Sequence, residues 1–425
     1  MALEFNKLTE QVYKMGAMIE KLDFDMRESL QIAKQRFAAA GDPAEVHKRI
    51  QIVRQKNISG YRGAALMDGS NEPINMIYPA PTPPERATII AGDGSQIYPN
   101  EQAPVHFYLI NIGVFVYHHG IDHLPQQITI PTLYFHKDHV HDPHQRIISN
   151  RTVDARRTVK EMQTLAQLAW EYKDIYPEAP IIALYDNNLM FWADTEVYGG
   201  SRLMQDYHAA MQQLYDVQAN GVQTTLAGYV DNPRGSVVLR LLHLLTLADE
   251  TAIHANQNII EQGGDLEGLK DKHLFQAVLA PGDRSAVMVQ NSPRNFAYRQ
   301  HNSSHEIAFF YIKVGSGSST NIARVDIPVW VARNHQAVEA LHGVLLAQST
   351  MQGRNPYPYS LSRADELAYV SSKDKAKLDE MINLELRRKG IEPLIAGRPK
   401  ARGKELARSD RTAYEINTDL RGRQT

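Results

Sequence analysis

Apolar residues recur at helical spacing near the start of the chain. Leu3, Leu8, Val12, Met15, Ile19 and Leu22 predict a helix over 3–37. Gly41-Asp42-Pro43-Ala44-Glu45 stops that helix and starts another, with Asp42 as cap, Pro43 in the first turn and Glu45 completing a capping-box-like pattern. The second helix runs to about Asn57, so residues 1–58 read as an N-terminal helical arm. Residues 59–85 read as an irregular, stiff connection, because prolines crowd its end at Pro79, Pro81, Pro83 and Pro84.

The pattern then changes. Arg86–Gly92 is a short apolar strand broken by Asp93-Gly94-Ser95, and Val105–His119 and Gln127–Phe135 form a hairpin around Gly120-Ile121-Asp122. A helix over Val153–Tyr172 places Val159, Met162, Leu165, Ala166 and Ala169 on one face. Ile181–Tyr185 is a continuous apolar run, as in a strand buried on both faces, and it ends at Asp186. Further helices are expected at 202–219, 236–249, 333–350 and 361–388. Ile307–Val314 and Asn321–Val331 read as two strands joined by the Gly315–Ser319 loop. The fold class is α/β, a mixed sheet flanked by helices over 86–388.

Composition narrows the function classes. The chain has 425 residues, 43% hydrophobic and 22% charged, in the ordinary globular range. No apolar run approaches the roughly 18 residues of a membrane span. The first residues carry Glu4 and Glu10 and lack the apolar run of a secretory signal, so a cytoplasmic location is expected. There are no cysteines, which excludes disulfides, thiolate metal sites and a cysteine nucleophile. A bound metal would rest on Asp, Glu or His, and hard oxygen donors suit Mg²⁺ or Mn²⁺. The net charge is −2, but from Arg387 to Thr425 there are 11 basic against 5 acidic residues. Residues 389–425 therefore read as a basic flexible tail that can touch DNA or a partner protein.

The candidate chemistry is acidic. Asp93 follows the first strand, with Gly92 and Gly94 leaving room for close approach. Glu161 lies within the long helix, Asp186 follows the buried strand, and Asp365 lies in the late helix. A strand–hairpin–helix–strand unit with carboxylates at these stations is the layout of a ribonuclease H-like fold. Such clusters hold two divalent ions that activate water and stabilise the leaving oxygen of a phosphodiester. A second Asp-Gly-Ser at Asp68 lacks a comparable strand before it. A rival metal site could form from His118, His119, Asp122 and His123, or from His136, Asp138, His139, His141, Asp142 and His144. No phosphate-binding loop, Gly-x-Ser-x-Gly or dinucleotide fingerprint is present.

Five segments, in order, resemble the NurA nucleases that process DNA ends with the HerA translocase. They are Ile89–Gln96 (IIAGDGSQ), Leu109–Gly113, Ile181–Leu189 (IIALYDNNL), the pair Phe310–Lys313 with Ala323–Trp330, and Tyr357–Ala368 (YPYSLSRADELA). The resemblance implies a Mn²⁺- or Mg²⁺-dependent deoxyribonuclease with 5′→3′ exonuclease and single-strand endonuclease activity in double-strand break repair. It implies a homodimer docked on a HerA-type hexamer. Asp93, Glu161, Asp186 and Asp365 would be metal ligands, Tyr357 an active-site tyrosine, and Lys313 and Arg324 phosphate contacts. Two departures stand out: Asn187 and Asn188 replace the Gly-Ser that follows the second aspartate, and Asp365 stands where the family has histidine. They motivate an alternative, a catalytically weak DNA-binding or regulatory subunit of such a translocase. A ribonuclease acting on RNA–DNA hybrids is a third reading.

Overall fold

The computed structural model describes residues 5–55, 61–103, 105–256, 260 and 263–391. Its strands are β1 (Ala64–Ala65), β2 (Ile77–Tyr78), β3 (Ala87–Ile97), β4 (Tyr108–His119), β5 (Gln126–Tyr134), β6 (Ile181–Tyr185), β7 (Thr224–Asp231), β8 (Arg284–Ser285), β9 (Met288–Gln290), β10 (Ile307–Ser316) and β11 (Ser319–Pro328). All join one sheet, whose main path is β1-β9-β10-β11-β7-β6-β3-β4-β5. β3, β4 and β5 form an antiparallel meander, and β6 and β7 continue it parallel to β3. The crossovers are the Asn150–Tyr172 and Gly200–Ala219 helices. This is the ribonuclease H-like arrangement, extended by the β10–β11 hairpin beside β7.

The local reasons are plain in the residues. β6 reads Ile-Ile-Ala-Leu-Tyr and every position is buried, as a central parallel strand requires. β5 alternates half-buried and exposed positions, and it carries Pro131, which an edge strand tolerates. The Asn150–Tyr172 helix buries Val159, Met162, Leu165 and Ala169 against β3 and β6. The Tyr359–Ala368 helix packs on β3 and β4. Buried Asp271 accepts from the amides of Val238 and Leu239 at the start of the Val237–Thr246 helix and from the Tyr311 hydroxyl, which fixes that helix on β10.

Several sequence expectations change. The Asp93-Gly94-Ser95 break is absent: β3 runs through it, with Asp93 opposite Gly113 and Ser95 opposite Asn111. Pairing to β4 keeps the two glycines extended. The stretch 59–85 is not wholly irregular, since β1 and β2 add to the sheet. The Gly315–Ser319 loop shrinks to Gly317-Ser318, because Ser316 pairs with Ser319. The 361–388 helix is two helices, Tyr359–Ala368 and Ser372–Arg388, the second started by a Ser371–Asp374 capping box. The 236–249 helix ends at Thr246, and Asp249 caps a new one over Glu250–Ala255. The second half of the Thr9–Ala39 helix is part of the core, with Ala33 and Phe37 buried and the Phe37 ring edge-on to Phe275. Leu3, Asn57 and the expected tail from 392 onward lie outside the described residues.

Candidate active site

The site forms where the central sheet splits. β3 and β6 pair in parallel only as far as Gly92 opposite Tyr185. Beyond that point β3 continues to Ile97 on β4 alone, while the other strand ends and Asp186 follows. Asp93 and Asp186 therefore stand on the two sides of the divergence. The gap lets groups from both sheet faces meet.

Glycines set the approach on each face. A Cβ on Gly94 would lie 2.5 Å from Glu161 Oε1, so the missing side chain is what admits the glutamate. On the other face, a Cβ on Gly113 would lie 2.3 Å from the Ala368 amide nitrogen and 2.5 Å from the Ala364 carbonyl. That bare patch seats the Tyr359–Ala368 helix, which carries Asp365. Asn111 Nδ2 donates to the Ala368 carbonyl at 2.8 Å, and Ser95 Oγ donates to the same oxygen. Asp93, paired with Gly113, faces that helix.

The carboxylates feel one another. Burial, then the charges of Glu161, Asp186 and Asp365, push Asp93 up to about 7 against the opposing Gly94 amide. Burial also raises Asp186, where the Tyr357 hydroxyl favours the ionised form and Asp365 and Asp231 oppose it. Glu161 is 1% exposed and raised by burial, with Arg157 pulling the other way. Arg157 Nε lies 3.4 Å from Glu161 Oε1, and its Nη1 donates to the Gly94 carbonyl and to Gln96. Glu161 Oε2 is buried without a hydrogen-bond partner. Tyr357 packs edge-on against Tyr229 at 5.4 Å. The structure thus brings Asp93, Glu161, Asp186, Asp365 and Tyr357 into one constellation. Four carboxylates converging on one gap, all oxygen donors, fit a hard divalent cation.

Lys313 does not join it. It is 9% exposed, and its ammonium donates to the carbonyls of Gln276 and Leu279, capping the Asp271–Val278 helix. That commitment removes it from phosphate contact, contrary to the sequence expectation. Arg324 is ion-paired to Asp326 at 2.7 Å and lies over the Phe309 ring. It also lines a cleft of about 640 Å³ together with Arg62, Arg234, Arg294, Asn188 and Trp192. The cleft begins two residues from Asp186. Arg62 and Arg234 have no acidic partner among the described residues. Arg62, Arg234 and Arg294 escaped the sequence reading because they come from distant segments and no local spacing marks them. Asp68 pairs instead with Arg54 and Arg299. Neither His-rich tract gathers three ligands among the described residues; His118 sits against Thr88 and His106 against His141.

A model of the NurA domain matches residues 87–370. The chain belongs to the NurA family. Among curated proteins nothing matches it. Among solved structures it is similar to the NurA nuclease from Sulfolobus solfataricus, at 12% identity and TM-score 0.46, covering 89% of this chain and 98% of that one. It is similar to a NurA bound to dAMP and manganese, at 12% identity and TM-score 0.39, covering 90% and 98%. The catalytic domain of human endonuclease V follows at 11% identity and TM-score 0.27, covering 78% and 95%. The NurA match takes in all five members of the acidic and tyrosine constellation.

The Asp93 shift makes a prediction for the metal-free protein. A carboxyl at 3.8 when unfolded and about 7 when folded contributes stability that is present below about pH 4 and lost as pH rises through 7. Without divalent cations the thermal midpoint therefore falls between pH 5 and 8. Asp93→Asn flattens that decline and stabilises the pH 8 protein by about 0.5–2 kcal/mol. Calorimetry in chelator checks it; an unchanged slope in the variant contradicts the coupling.

Proposed function

We propose that the chain is a divalent-metal-dependent DNA nuclease, with 5′→3′ exonuclease and single-strand endonuclease activity on DNA ends. The observation that carries this reading is the convergence of Asp93, Glu161, Asp186 and Asp365 at the split between β3 and β6. These residues would hold Mn²⁺ or Mg²⁺. The cations would supply a water of lowered pKa and offset charge on the phosphodiester, as in two-metal hydrolysis. Arg157 keeps the Glu161 carboxylate aimed at the gap, and Tyr357 steadies Asp186 and can orient phosphate or water. The arginine-lined cleft would hold the sugar–phosphate backbone, and Trp192, 41% exposed, offers a face for a base.

The test is cleavage of end-labelled single- and double-stranded DNA, with the polarity read from 5′ and 3′ labels. Metal-dependent cleavage supports the reading. No cleavage with intact DNA binding favours the regulatory-subunit alternative, which Asn187, Asn188 and Asp365 motivate. Hydrolysis of RNA–DNA hybrids alone would favour the third reading.

The proposed assembly is a homodimer docked on a HerA-type hexamer, a proposal that follows from family membership. The first half of the Thr9–Ala39 helix supports a contact with a second copy, since Val12, Met15, Met18 and Ile19 are exposed, Met18 at 65%. Met15→Glu with Ile19→Glu is expected to convert a dimer to a monomer in light scattering, with the far-ultraviolet spectrum unchanged. A dimer unaffected by the pair places the interface elsewhere.

A further inference from the structure

A second site lies on the side of the molecule formed by the Gly200–Ala219 helix and the 293–305 segment. His208 projects from the first, His301 ends the Pro293–His301 helix, and His305 lies in the following turn. One ring nitrogen from each falls within 4.8 Å of the others. The rings of His208 and His301 stack at 4.2 Å between centroids, and His305 is 5.9 Å from both.

The hydrogen bonding of these rings is incomplete. Nδ1 of His208 and both nitrogens of His305 are buried without a partner. A neutral imidazole has one N–H and one lone pair, so a buried ring with neither satisfied carries a desolvation penalty, and a metal ion on the lone pair relieves the acceptor's share of it. Burial, and then the neighbouring imidazoles, hold His208 and His305 down to about 4, so their lone pairs are free at neutral pH. The geometry around the rings is fixed. Asn302 Nδ2 donates to Gln212 Oε1, tying the end of one helix to the other, and the Asn302 backbone carbonyl accepts from the His305 backbone amide. Tyr298 meets His208 edge-on at 4.6 Å, and Trp330 meets His305 at 5.6 Å. His301 is exposed and gives an ion a path from solvent.

We propose that His208, His301 and His305 bind one Zn²⁺-class cation, separate from the carboxylate site, that staples the Gly200–Ala219 helix to the 293–305 segment. Three imidazoles select borderline metals such as Zn²⁺ over Mg²⁺ or Mn²⁺. The fourth position is left to water or to Asp216, which acts electrostatically on His305. His301-x-x-x-His305 has the spacing of half a zinc site, but its partner lies 93 residues earlier, so the set forms only in the folded chain.

The experiment uses the untagged full chain, stripped with chelator and returned to millimolar Mg²⁺, which occupies the hard carboxylate site. Zn²⁺ is then titrated, and Co²⁺ serves as the spectroscopic probe. The wild type is expected to take up one Zn²⁺, to melt at higher temperature with it, and to give the visible absorption of four-coordinate cobalt. His301→Ala and His301→Gln change an exposed side chain, and both are expected to fold and to lose that cobalt band. Their Zn²⁺ affinity should drop at least about 100-fold, since even an outer-shell partner is worth about 10–100-fold. Equal Zn²⁺ binding by wild type and variants, or none by the wild type, overturns the assignment.

Discussion

Asp93→Ala is expected to remove the proposed metal-dependent DNA cleavage, by on the order of 10²–10³-fold or more, through loss of a preorganised charge at a reacting centre. The fold survives the change. Asp93 lies within β3, its backbone pairs with Gly113, and alanine keeps both strand partners. The lost carboxylate was itself held up to about 7 by burial and by Glu161, Asp186 and Asp365, so its removal relieves repulsion. Asp186→Asn is the companion variant, since the amide keeps the shape beside Tyr357 but not the charge. The Asp93→Ala, Asp186→Asn double variant is then no worse than either alone, because the carboxylates act as a unit. Rates on end-labelled DNA with Mn²⁺, beside circular dichroism, check these outcomes. Full activity in Asp93→Ala would place the chemistry elsewhere. Silence from the wild type makes Asp365→His the next variant, with gained cleavage the expected result for a lapsed site.

Gly113→Ala is expected to lower both stability and the proposed cleavage. Its Cβ would meet the Ala368 nitrogen at 2.3 Å, the Ala364 oxygen at 2.5 Å and the Leu367 carbonyl carbon at 2.7 Å. These are backbone atoms, so no rotamer change makes room and the Tyr359–Ala368 helix must move. Overpacking of this kind costs about 1–3 kcal/mol. The helix also loses its clamp, in which Asn111 Nδ2 holds the carbonyls of Leu367 and Ala368. Asp365 rides on that helix, and a misplacement of about 1 Å near a reacting centre can cost about 10²-fold in rate. Gly94→Ala makes the contrast. Its nearest neighbour is the movable end of Glu161, so activity falls more than melting temperature. Gly16→Ala is the opposite case: nothing lies within 4 Å, the position is inside the Thr9–Ala39 helix, and alanine there is expected to raise stability by about 0.5–1 kcal/mol. Melting curves and cleavage rates separate the three, and an unchanged midpoint for Gly113→Ala would contradict the seating of the helix.

The sequence by itself determined the strand that precedes Asp186 and the long helix that carries Glu161. Ile181–Tyr185 is apolar throughout because both its faces are covered, and the Asn150–Tyr172 helix shows its buried stripe in its spacing. Local pattern suffices where burial is periodic. It also named the acidic residues: Asp93, Asp186 and Asp365 lie in short motifs continuous in the chain, and Glu161 followed from its position in the long helix. It misjudged Asp93 as a strand end, because Asp-Gly is intrinsically a turn former and only the β4 partner keeps it extended. It missed β7, and it assigned Lys313 to phosphate although the ammonium is turned inward onto two carbonyls. The tertiary structure alone decided how the acids meet. β3 and β6 part after Gly92 and Tyr185, and two glycines without side chains let Glu161 and the Asp365 helix close in from opposite faces. The same holds for the arginine cleft and the three histidines. Their members are far apart in sequence, and electrostatic and ligand contacts depend on distance in space, which no local residue pattern records.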